Sequence, residues 1–151
     1  LQMFALIISI IAIALVVALA GATLYYGGDA FTQGSARSTA AALVNQGQQI
    51  SGAWTLYKAN NGGAIPAGES AAQLTSLVSG QFLSAVPTSP VGGTWTVTST
   101  TNAGRTVSTL SLTAPASLTA ETCTAVSALP GSGGVFSCAA DAGKQTFSYV
   151  L

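Results

Sequence analysis

Few side chains in this sequence are equipped for chemistry: four carboxylates, four cations, two cysteines and no histidine. The carboxylates, Asp29, Glu69, Glu121 and Asp141, stand far apart in the chain. No two of them are predicted to share a site as general acid and base. Without His, neither a Ser-His-Asp triad nor a histidine-ligated metal hydrolase can be assembled, so no catalytic residue and no enzyme activity are expected. Two cysteines alone do not complete the closed Cys/His set of a structural zinc. Calcium takes about six to eight oxygens, and Asp141, in a predicted turn, offers one isolated carboxylate. Gly131-Ser132-Gly133-Gly134 lacks the Lys-Ser/Thr that would make it a phosphate cradle, and it is read as a loop. The cations Arg37, Lys58, Arg105 and Lys144 are scattered, which leaves no basic patch and no expectation of direct nucleic-acid binding. No cofactor and no metal site are predicted.

Cys123 and Cys138 have two readings. Bridged, they close segment 123–138 and stabilise the fold by about 3 kcal/mol, which belongs to an oxidising compartment. Left unbridged, they are two small apolar core side chains. Charged residues make up 5% of the chain, far below the roughly one quarter of an ordinary soluble domain. Ser, Thr, Gly, Asn and Gln replace them, a composition suited to an extracellular object packed against copies of itself without like-charge repulsion. No Asn-x-Ser/Thr acceptor occurs, and the Ser/Thr-rich stretch from Thr94 to Thr124 permits O-linked sugars without specifying any.

The elements that carry these residues fall into two parts, 1–30 and 31–151. Residues 1–28 contain no charged side chain, and the run from Met3 to Tyr26 exceeds the roughly 20 apolar residues needed to cross a bilayer. It has no basic flank and no evident cleavage site, so it reads as a stem helix, not as a signal peptide. The helical pattern then continues one-sidedly through Ala36, Ala40, Leu43, Gly47, Ile50, Trp54 and Tyr57. Leu43, Ile50, Trp54 and Tyr57 are expected to face a sheet. Asn60-Asn61-Gly62-Gly63 supplies the left-handed residues that end the helix. Gly21, Gly27 and Gly28 are its weak points, each costing about 1 kcal/mol relative to Ala, and they make room for a kink or a locally unwound segment between Gly21 and Gly34. Tyr25 and Tyr26 sit where an interfacial aromatic belt would lie.

Past the helix, Ser70 to Ser79 is predicted as a short helix stopped by Gly80. Pro87-Thr88-Ser89-Pro90 then breaks regular structure. Alternation of Trp95, Val97 and Ser99 with Thr94, Thr96, Thr98 and Thr100 marks a strand. Asn102-Ala103-Gly104 turns it into a second strand, Thr106 to Thr113, with Val107, Leu110 and Leu112 apolar. Thr119 N-caps a short helix reaching Leu129, with Cys123 and Val126 inward. Strands at Val135–Ala139 and Gln145–Leu151 are joined through Asp141-Ala142-Gly143. The fold class is therefore α+β: a long helix laid on an antiparallel sheet of about four strands.

That order of elements resembles the type IV pilins and pseudopilins, type IVb-like major pilins above all. Three features carry the likeness over nearly the whole chain. They are the apolar helix continuing into an amphipathic half before a sheet, the passage Leu74-x-x-Leu77, Gly80-Gln81-Phe82-Leu83, Pro87-x-x-Pro90, and the cysteine pair near the C-terminus. The resemblance implies a structural subunit of a helical extracellular filament, a homo-oligomer on a bacterial surface. Its stem would wait in the inner membrane until an assembly machinery extracts it. Leu1 would be the end left by a prepilin peptidase, methylated as in the family, after removal of a basic leader. Small residues Ala5, Ala14, Ala18 and Gly21 would let stems approach closely. The chain departs from the family at Ala5, where members carry the Glu that neutralises a neighbour's terminal ammonium. Gln2, a backbone carbonyl or solvent would have to take over that task. A minor pilin or secretion pseudopilin is the nearest alternative, and a permanently membrane-anchored binding domain the more distant one.

Overall fold

The computed structural model describes residues 1–141 and 144–151, so most of the turn read at Asp141-Ala142-Gly143 lies outside the described residues. The chain runs through α1 (Gln2–Asn60), α2 (Ala71–Ser79), β1 (Thr94–Asn102), β2 (Arg105–Thr113), α3 (Ala120–Ser127), β3 (Phe136–Asp141) and β4 (Lys144–Val150). It divides into two compact units, Leu1–Ser35 and Ala36–Leu151.

The first unit is helix throughout. α1 is continuous past Gly21, Gly27, Gly28 and Gly34, with no unwound segment between Gly21 and Gly34. Glycine weakens a helix through chain entropy but keeps its backbone N–H donor, so the hydrogen-bond ladder persists. The hydroxyls of the stem turn back on that ladder. Ser9 Oγ donates to the Ala5 carbonyl at 2.8 Å, Thr23 Oγ1 to Ala20 at 2.9 Å and Thr32 Oγ1 to Gly28 at 3.0 Å. Each of these three hydroxyls is thereby satisfied without leaving its own helix.

In the second unit every buried residue of α1 lies between Ala36 and Trp54. The stripe holds Ala36, Ala40, Leu43, Gly47, Ile50 and Trp54 as their spacing predicts, and Val44 and Ala53 widen it. Tyr57, at the end of the stripe, is half-buried, its ring edge-on to Phe82 at 5.3 Å. Asn61 N–H to Tyr57 and Gly63 N–H to Lys58 close the helix, with Gly62 and Gly63 both at positive φ.

The four strands form one antiparallel sheet in the order β1-β2-β4-β3. β1 and β2 pair over their full length from Thr94↔Thr113 to Asn102↔Arg105. Their loop has two residues, Ala103 (φ 49°) and Gly104 (φ 78°), both left-handed as a type I′ turn requires. This turn sets the parity of the whole ribbon. Trp95, Val97, Leu110 and Leu112 point into the core, with Phe147 and Tyr149 of β4 and Phe136 of β3 beside them. Val107, grouped with Leu110 and Leu112 by its apolarity, lies opposite Thr100 on the outer face and is exposed. Ser108 takes the inner place instead, where its hydroxyl meets that of Ser99 at 2.9 Å. On the outer face, Thr96, Ser111, Ser148 and Ser137 form one hydroxyl row across all four strands.

Trp95 meets Phe147 edge-on at 5.9 Å, and Phe136 stacks on both Phe147 and Tyr149. Leu43, Ile50 and Trp54 of α1, Leu74 and Leu77 of α2, and Val126 of α3 complete this core. Thr119 caps α3 by accepting the Thr122 N–H at 3.2 Å. Cys123 of α3 and Cys138 of β3 form a disulfide with a Cα–Cα distance of 5.2 Å, which settles the two readings of the pair. The proline segment is held from both sides. Gln46 Nε2 donates to the Thr88 carbonyl at 2.9 Å, and the buried Ser89 hydroxyl accepts from Val91 N–H.

Candidate functional site

Two surfaces concentrate what this chain can do: the bare apolar helix of residues 1–35 and the packed helix–sheet core that the rest of α1 enters. No residue of the first unit is buried. Its exposed side chains include Phe4, Ile7, Ile11, Val17, Leu24 and Phe31, and α1 contains a window long and apolar enough to cross a membrane, none of it covered by the protein. An exposed apolar surface of this extent does not persist in water and has to be covered by lipid or protein.

The small residues along this helix are not all on one face. Ala14, Ala18 and Gly21 are spaced by four and three positions and share a side of the helix. Ala5 lies nine residues before Ala14, about two and a half turns, and so points the opposite way. Gly28 follows seven residues after Gly21 on the first side, whereas Gly27 is turned about 100° from it. At Gly21, Gly27 and Gly28 an added Cβ would meet nothing within 4 Å. Leu1 and Ala5 are exposed, as are Tyr25 and Tyr26, whose rings meet edge-on at 5.5 Å.

In the second unit the structure brings Leu43, Ile50 and Trp54 together in the core, with exposures of 1% or less. Gly47 stands among them for a steric reason that spacing alone could not reveal. A Cβ there would lie 2.5 Å from Cδ2 of Tyr149, so the β4 ring packs directly on the α1 backbone. The strand read at Gln145–Leu151 contains Tyr149, but nothing in its pattern singled out this contact.

Cys123 and Cys138 pin α3 to β3. No group of three or more His, Cys, Asp or Glu side chains able to hold a metal occurs among the described residues. The charged side chains Arg37, Lys58, Glu69, Arg105, Glu121 and Lys144 are exposed or half-buried, and none lies in the core. What the arrangement offers is surface for contact, apolar in the first unit and hydroxyl-rich in the second.

No protein-family model matches the chain, and neither a curated protein nor a solved structure is similar to it at a significant level.

Proposed function

We propose that this protein is a structural subunit of a type IV pilin-like filament, polymerising through the apolar part of α1. The observation that carries the reading is a single helix with two characters. Over residues 1–35 it is apolar and wholly uncovered, and from Ala36 it becomes the central helix of an α+β core. Lipid and the packed stems of other copies are alternative solvents for the same surface, so one segment serves a membrane-held subunit and an assembled one.

Association in lipid gains little from apolar burial and depends on close packing. The side formed by Ala14, Ala18 and Gly21 allows that approach. The low charge of the second unit removes the like-charge repulsion that would oppose dense packing of copies. The role is structural and not catalytic, and it places the subunit at a bacterial surface, drawn from a membrane pool by an assembly machinery.

Electron microscopy of material sheared from producing cells, with mass spectrometry of its subunits, tests the reading. Filaments built from this chain are the expected result. A protein that stays strictly monomeric in the membranes of those cells would overturn it. Replacing Gly21→Leu should lower filament yield at least several-fold while membrane insertion continues, because the added side chain holds stems apart.

A further inference from the structure

The turn that ends α1 contains Asn61 followed by Gly62, the only Asn-Gly pair in the sequence. The side-chain amide of an asparagine can be attacked by the backbone nitrogen that follows it, because the two atoms close a five-membered ring. Access decides whether this happens. A Cβ on the following residue crowds the approach, and glycine has none.

The structure leaves this pair open. Residues 59–64 are all exposed. Gly62 lies at φ 64°, with nothing within 4 Å of where a Cβ would be. Its N–H has no acceptor among the described residues, whereas its neighbours are engaged. Asn61 N–H donates to Tyr57, Gly63 N–H to Lys58 and Ala64 N–H to Asn61. The attacking nitrogen is therefore the free one. Asn61 Nδ2 donates to the Tyr57 carbonyl at 2.9 Å, an exposed bond that water readily replaces. Reaching the reactive geometry also turns the Asn61 backbone and opens the turn. Helix ends fray at little cost, and opening this one uncovers no core residue.

The other asparagines lack this combination. Asn45 lies inside α1 before Gln46, and Asn60 is the last residue of α1, before Asn61. Asn102 pairs with Arg105 at the end of β1 and precedes Ala103. Each is followed by a residue that carries a Cβ.

We propose that Asn61 is a self-modifying site, converted with water as the sole co-reactant. Gly62 N gives up its proton and bonds to Asn61 Cγ. The Cγ–Nδ2 bond breaks, and the side-chain nitrogen leaves as ammonia with that proton. Water then opens the cyclic imide at one of its two carbonyls, with no oxidation or reduction. Breaking the bond from Gly62 N to Cγ leaves aspartate. Breaking the bond from Gly62 N to the main-chain carbonyl carbon leaves isoaspartate, whose backbone runs through the side-chain carbons. Either product loses the Nδ2 bond to Tyr57 and places a carboxylate at the end of α1 where the helix dipole disfavours negative charge. In a chain of formal net charge +0, this one event leaves each converted copy negative, so copies of different age differ in charge.

The reaction is independent of the filament reading, and its failure leaves that reading standing. The test incubates the full chain in detergent micelles at mildly alkaline pH, with and without urea sufficient to unfold the second unit. Mass spectrometry of proteolytic peptides reads the exchange of NH2 for OH, and chromatography separates the isoaspartate form. Asn61 should convert at least tenfold faster than Asn45, Asn60 or Asn102. In the folded chain it should be no more than about thirtyfold slower than in urea, because the opened turn is exposed. Gly62→Ala, read in urea so that backbone strain plays no part, should slow the conversion at least several-fold. A folded rate below that limit, conversion at Asn60 or Asn102 that matches Asn61, or a rate indifferent to Gly62→Ala would overturn the proposal.

Discussion

Gly47 has no side chain because the ring of Tyr149 occupies the space where one would be, and this makes it the most sensitive residue of the helix stripe. Tyr149 is itself stacked on Phe136, with ring centroids 6.2 Å apart, so it has little room to yield. Gly47→Ala is expected to destabilise the fold by about 1–3 kcal/mol, the usual range for overpacking a filled core. That outweighs the roughly 1 kcal/mol that Ala gains over Gly in a helix. Gly52→Ala is the control. A Cβ there meets nothing within 4 Å, and the substitution should raise stability by up to about 1 kcal/mol. Urea melts of the two variants, read against the parent, give opposite shifts of midpoint. Ala103 is the converse case, an L-residue in a left-handed conformation at φ 49°. Asn tolerates that region better than Ala, and Asn-Gly is the favoured type I′ pair. Ala103→Asn should therefore stabilise by about 0.5–1 kcal/mol, seen as a higher thermal midpoint.

At the scale of elements, the disulfide holds a short helix to a sheet edge strand. Its removal by Cys123→Ser with Cys138→Ser should cost about 3 kcal/mol. In a unit of this size that corresponds to a thermal midpoint lower by about 10 °C. Calorimetry of the double variant against the oxidised parent checks it. The elements themselves were largely legible, because each carries its own period: threes and fours from Ala36 to Trp54, twos from Thr94 to Thr100. Faces were less legible than elements. Val107 is apolar like Leu110 and Leu112 but lies three and five positions from them, and only the two-residue turn fixes which parity points inward. Strand order was not legible at all, since the pairing of β2 with β4 joins segments more than thirty residues apart. The small residues of the stem were visible by type, but only helix geometry separates Ala5 from the side shared by Ala14, Ala18 and Gly21.

For the whole molecule, the scarcity of charge has a measurable consequence. The chain has no His, the one side chain whose ordinary pKa lies between about pH 5 and 8. The thermal midpoint should therefore stay level across that interval. Surface ion pairs contribute little and are screened by salt, so added sodium chloride should also leave it nearly unchanged. A midpoint that moves by more than a few degrees over this range would point to a titrating group the fold does not display. The sheet order carries a different consequence, one of timing. β4 joins β2 to β3, yet it follows both of them in the chain. While the chain is being made, the β1–β2 ribbon and the α3–β3 pair have no strand to connect them, and Gly47 has no Tyr149 to pack against. The core cannot close until these residues are delivered. The elements that precede β4 therefore stay pliable until that strand is added, and rigidity comes with it.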